Sequence, residues 1–105
     1  MIQATTPTYT FELPFDVSTL KSARVAFAQR KSFEQEFQTV LVKDTTKCSM
    51  EDTRLSVTLT QEETLLFKPG QTQVQLHVLT IGGQALATRP QRIDVCRALC
   101  KEVLT

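Results

Sequence analysis

The residues of this chain best suited to doing chemistry are Cys48, Cys96, Cys100 and its single histidine, His77. Three thiolates and an imidazole add up to the four ligands of a structural zinc ion. The spacing is unhelpful. On an extended strand, Cys96 and Cys100 stand about 13 Å apart, too far to share one metal, and only a helical tail would bring them together. A nucleophile–base pair of Cys48 with His77 needs a third group to orient the imidazole, and the sequence suggests none. His77 also alternates with Val74, Leu76 and Val78, which turns it to the face opposite theirs. The expectation is a chain that is not an enzyme, holds no metal or cofactor, and keeps its cysteines as reduced structural thiols.

Other motifs resolve into structure. Glu62 and Glu63 suit the first turn of a helix, where negative charge meets exposed amides. Gly82-Gly83 lacks the following helix and Lys-Ser/Thr pair of a phosphate loop, so it is turn chemistry. Arg89, Arg92 and Arg97 with Lys101 form a local basic edge. In a chain with Lys+Arg 12 against Asp+Glu 11, that edge reads as a solvated face or a protein contact. Phosphate neutralisation supplies most of the affinity for nucleic acid, so near-neutrality argues against direct sequence-specific nucleic-acid binding, and equally against an acidic DNA mimic.

The elements that must position these residues announce themselves at period two. Tyr9, Phe11, Leu13 and Phe15 alternate, as do Ala23, Val25 and Phe27, then Leu55, Val57 and Leu59, then Val74, Leu76 and Val78. Alternation marks strands with one buried side. The first strand is expected over Thr8–Leu13, stopped by Pro14, which cannot donate to a ladder. A turn follows at Asp16–Leu20, with one helical turn capped by Asp16. The second strand spans Ser22–Gln29. After the turn Arg30-Lys31-Ser32 comes its hairpin partner, with Phe33 and Phe37 on one face and Glu34 and Glu36 on the other.

From Thr39 to Asp52 the alternation fails, and residues 43–47 read as polar turn material. Strands resume at Arg54–Leu59, Thr72–Leu79, Gln84–Thr88 and Arg92–Leu99. Thr60-Gln61-Glu62-Glu63 reads as a capping box opening a short helical turn, and Pro69-Gly70 as the turn after it. The tail from Cys96 to Leu104 reads either as strand or, from the spacing of Val95, Leu99 and Val103, as a helical turn or two. The fold class is all-β: a single immunoglobulin-like antiparallel β-sandwich of about seven strands with one short helical turn. Phe11, Leu13, Val25, Phe27, Val57, Leu59, Leu76 and Val78 should fill its core.

At 105 residues the chain makes one domain, 1–105, that buries roughly two-thirds of its unfolded surface. No apolar run approaches the roughly 18 residues of a membrane span, so no membrane partner is expected. The opening MIQATTPT lacks the basic and apolar regions of a signal peptide, which points to the cytoplasm. Partner contact is expected on the irregular segment, through Val40, Leu41, Val42, Lys43 and Met50, joined by Arg89, Arg92 and Arg97. A second reading has Val40–Val42 extend a strand and bury alternate residues. Charge reversal of Lys43 and Arg92 should weaken binding and leave the melting curve nearly unchanged.

The opening Ala4-Thr5-Thr6-Pro7-Thr8-Tyr9-Thr10-Phe11-Glu12-Leu13-Pro14-Phe15-Asp16 resembles small hypothetical proteins of bacteriophages and prophages. So do Leu59–Leu65, the run Val74–Gly83, and Ala87; the resemblance covers nearly the full length and is specific as a set of segments. In layout the chain is similar to the immunoglobulin-like N-terminal domains of phage baseplate proteins. The resemblance implies a non-enzymatic virion component of tail, baseplate or neck, binding neighbouring subunits and located in the host bacterial cytoplasm or the particle. Size and style are also similar to phage-encoded anti-CRISPR proteins, which implies the alternative of an inhibitor that binds a type II Cas9 nuclease directly.

Overall fold

A computed structural model of the chain describes residues 1–44 and 48–105. Its strands are β1 (Thr8–Glu12), β2 (Leu20–Gln29), β3 (Gln38–Asp44), β4 (Cys48–Glu51), β5 (Arg54–Thr58), β6 (Gly70–Thr80), β7 (Ala85–Ala87) and β8 (Gln91–Val95), with one short helix, α1 (Gln61–Thr64). β1, β5 and β4 form a three-stranded sheet in that order. The second sheet runs β3-β2-β6-β7, with β8 also pairing β6. The strand pairs are antiparallel.

Alternation builds the core as expected. β2 buries Ala23, Val25 and Phe27, and β6 buries Val74, Leu76 and Val78. Cross-strand register puts these side by side on one inner face, with Val25 opposite Leu76 and Phe27 opposite Val74. From the other sheet come Phe11, Leu55 and Val57. The Tyr9 and Phe27 rings meet across the sandwich at 5.9 Å, and Phe67 packs edge-on against Phe27 at 5.8 Å. Offset and edge geometries suit the ring quadrupoles. Hairpins β2–β3 and β4–β5 each stay within one sheet, whereas β1 to β2 and β5 to β6 switch sheets. The result is an immunoglobulin-like antiparallel sandwich.

Local chemistry sets the connections. Asp16 Oδ1 accepts the Ser18 amide at 2.8 Å and caps a 3-10 turn over Val17–Thr19. Thr60 Oγ1 accepts the Glu63 amide at 3.1 Å while Glu63 Oε1 accepts the Thr60 amide at 2.8 Å, closing the capping box of α1. Gly83 takes φ +88° in the β6–β7 turn, a region open to glycine.

Four expectations change. The partner of β2 begins at Gln38 rather than Phe33, because residues 30–37 form a loop held by Arg30. Its guanidinium lies 4.8 Å from the centre of the Phe33 ring and 4.7 Å from that of Phe37. Four charges in Arg30–Glu36 leave this segment no apolar face to bury. The last strand stops at Val95, and the tail is neither strand nor helix. Cys96 instead bridges Ile2 in parallel, the Ala98 amide donates to Gln3 Oε1, and the Leu104 backbone bonds Gln61 in both directions. Leu13 is half-buried at the core's margin rather than inside it. β3 takes in Lys43 and Asp44 from the expected polar turn, and the rest of that turn, 45–47, lies outside the described residues.

Candidate functional site

The thiols and the imidazole stand apart. Cys48 opposes Val57 and turns toward the interior of the three-stranded sheet, its Sγ donating to the Asp44 carbonyl at 3.2 Å. Burial and the nearby Asp44 charge push its thiol pKa up against the opposing pull of Lys43, which makes it a poorer nucleophile. His77 is exposed on the outer face of the other sheet, opposite Arg24 and Ala87. Cys96 and Cys100 are exposed beyond β8, and all three cysteines are free thiols. Among the described residues, no three His, Cys, Asp or Glu side chains gather as a metal site would require.

The residues expected to touch a partner divide. Val40 and Leu41 are half-buried and pack against the core; Val40–Val42 do extend a strand, but the register shift opposite Phe27/Ala28 places two adjacent residues inward where alternate burial was expected. Val42 is exposed, opposite Ala26 on the outer face. Lys43 is a correction. It opposes Val25, which turns it inward, and its Nζ lies 2.7 Å from Glu63 Oε1 in an ion pair largely shielded from water. It is therefore buried and not a surface contact, and its reversal cannot be silent in stability. Met50 is exposed at the β4 edge; Arg92 is exposed and paired with Asp94 at 3.2 Å; Arg89 and Arg97 are exposed. These residues do not converge. β3 and β8 lie on opposite sides of the β2–β6 pair, so Val40–Val42 and Arg92 sit at opposite edges of one sheet, and Met50 lies on the other sheet.

A different surface gathers instead at the end of the sandwich where β2, β5 and β8 finish and β6 begins. Of the nine large apolar side chains left exposed among the described residues, five lie on segments at this end: Ile2, Phe33, Leu66, Leu99 and Leu104. Phe33 is 81% exposed despite stacking on Arg30. Between the 30–37 loop and the α1–β6 connection runs a groove of about 600 Å³, with Phe37, Val40 and Leu66 in its walls and Arg30, Lys31 and Lys68 around it. Glu36 is the one acidic residue lining it. Gln29 fixes one wall, its Nε2 donating to the Lys68 carbonyl at 2.7 Å and its Oε1 accepting the Lys68 amide at 3.0 Å. Apolar anchors inside a cationic rim can seat a protein segment whose apolar residues are flanked by acidic ones.

Sequence reasoning missed this end because Phe33 and Phe37 were read as one face of a strand. The signal available was the charge density of Arg30–Glu36, too high for a half-buried strand. No protein-family model, no curated protein and no solved structure matches the chain.

Proposed function

We propose that this chain is a non-enzymatic, phage-encoded protein-binding module, a small structural component of a virion tail, baseplate or neck that works without metal or cofactor. The observation that carries the binding role is the collection of Ile2, Phe33, Leu66, Leu99 and Leu104 at one end of the sandwich. Exposed apolar side chains scattered singly need no explanation, but several gathered on loops at one end of a rigid scaffold are what a contact surface requires. The phage assignment is supported by the sequence resemblance. On this reading the protein is made in the host bacterial cytoplasm before assembly.

The test is mass spectrometry of purified particles from a host carrying the sequence, with the parent and with a Phe33→Glu, Leu66→Glu double variant. The parent should copurify with particles and the variant should be lost from them, with both melting alike. A parent absent from particles that instead captures a type II Cas9 nuclease would replace this reading with the counter-defence one.

A further inference from the structure

β1 is an edge strand that keeps an unbroken register with its one neighbour. Among the described residues it pairs only with β5, and the three-stranded sheet ends there. The edges at β3, β7 and β4 carry features that suppress pairing with a foreign strand. β3 points Lys43 inward and breaks register between Phe27 and Ala28 of its neighbour. β7 is three residues long, and the connection from it to β8 contains Pro90. β4 has four residues. β1 is straight in register over Thr8–Glu12 and carries neither Lys nor Pro.

Its free backbone groups can be assigned. The Leu59 amide donates to the Pro7 carbonyl and the Leu13 amide donates to the Thr53 carbonyl, so odd-numbered residues face β5. Even-numbered residues of an antiparallel strand then face the other way. Thr8, Thr10 and Glu12 thus present their N–H and C=O groups to the open edge, where they have no partner among the described residues.

We infer that this edge pairs with β1 of a second copy of the chain, antiparallel about a two-fold axis at Thr10. Thr10 then faces Thr10 of the other copy, and Thr8 faces Glu12. All three are outward-facing residues, so each pair exchanges both of its backbone hydrogen bonds. Tyr9 falls opposite Phe11 at the positions without backbone bonds, where cross-strand side chains approach most closely and aromatic pairs are favoured. Tyr9 is half-buried in the single chain and gains cover. On the outer face, the hydroxyl pairs Thr8–Thr58 at 2.7 Å and Thr10–Ser56 at 2.9 Å continue into a Thr10–Thr10 contact. Glu12, already held by Arg54 at 2.8 Å, meets a threonine and not a like charge. Sliding the axis to Glu12 would set two glutamates opposite each other and bring in Pro14; sliding it to Thr8 would leave Phe11 and Glu12 facing no strand.

Sedimentation velocity and amide hydrogen exchange on the full chain test this. The parent should sediment as a dimer, with the Thr8, Thr10 and Glu12 amides protected. Thr10→Pro removes an amide that faces away from β5, so it leaves the chain's own ladder intact while blocking the new one. Thr10→Lys sets two like charges against each other on the axis. Both variants should be monomers with the parent's circular dichroism spectrum, and in Thr10→Lys the Thr8 and Glu12 amides should exchange freely. A parent that stays monomeric across the concentration range overturns the inference. So does a dimer that survives Thr10→Lys, or edge protection that appears only when a different protein is added.

Discussion

Lys43 Nζ on β3 and Glu63 Oε1 on α1 meet at 2.7 Å, and the same oxygen accepts the Thr60 amide at 2.8 Å. One carboxylate thereby closes the helix cap and fastens the connection between the two sheets to the inner face of β3. A charge pointing into a sandwich costs solvation, and this geometry offsets that cost with a charge-assisted bond on each side.

Removing the cation should therefore destabilise the fold. Lys43→Met leaves Glu63 with less water than it needs and without its partner, at a cost of roughly 2–3 kcal/mol in urea unfolding. The pair also makes stability depend on acid. Burial works against Glu63 ionisation, but hydrogen bonds from Lys43 and the Thr60 amide outweigh it and hold its pKa below the ordinary 4.5. A lowered carboxyl pKa contributes stability that is complete above the ordinary value and is lost as pH falls through the folded one. The parent should thus lose melting temperature below about pH 4.5 more steeply than Glu63→Gln, which has no such group to protonate.

Phe27 touches the aromatic rings of both Tyr9 and Phe67 and is fully buried. Phe27→Ala should cost about 3–5 kcal/mol, most of a small domain's stability, and the loss should appear as a lowered urea midpoint.

Gly83 at φ +88° meets no atom that an added Cβ would strike, so the cost of substitution there is conformational. Gly83→Ala should lower stability by about 1 kcal/mol with the fold retained, measured by the same unfolding curve.

Arg92 carries its charge on the surface, and its contact with Asp94 joins two exposed side chains. Arg92→Glu should move stability by less than about 0.5 kcal/mol. If the proposed virion role holds, incorporation into particles should also be unchanged, because Arg92 lies on β8 and not on the loops carrying Phe33 and Leu66.

The sequence by itself determined the strands that bury one face. Val25, Phe27, Val57, Leu76 and Val78 repeat at period two because a strand turns successive side chains to opposite sides, and that local rule needs no knowledge of the partner sheet. The capping box at Thr60 and the Asp16 cap were legible for the same reason, since their hydrogen bonds span two or three residues. What the tertiary structure decided is everything that depends on residues far apart in the chain. Lys43 reads as surface until β3 is registered against Val25 and Glu63 arrives from twenty residues on. Phe33 and Phe37 read as a strand face until Arg30 stacks between them, and the tail reads as helix or strand until Gln3 and Gln61 bind its backbone. The same holds for the interaction surface. The exposed end is assembled from the N-terminal segment, the 30–37 loop, the α1–β6 connection and the tail, and the edge of β1 is open because β5 takes one of its sides and no other described strand takes the second. Sheet order and loop proximity come from long-range pairing, which leaves no local periodicity in the chain to read.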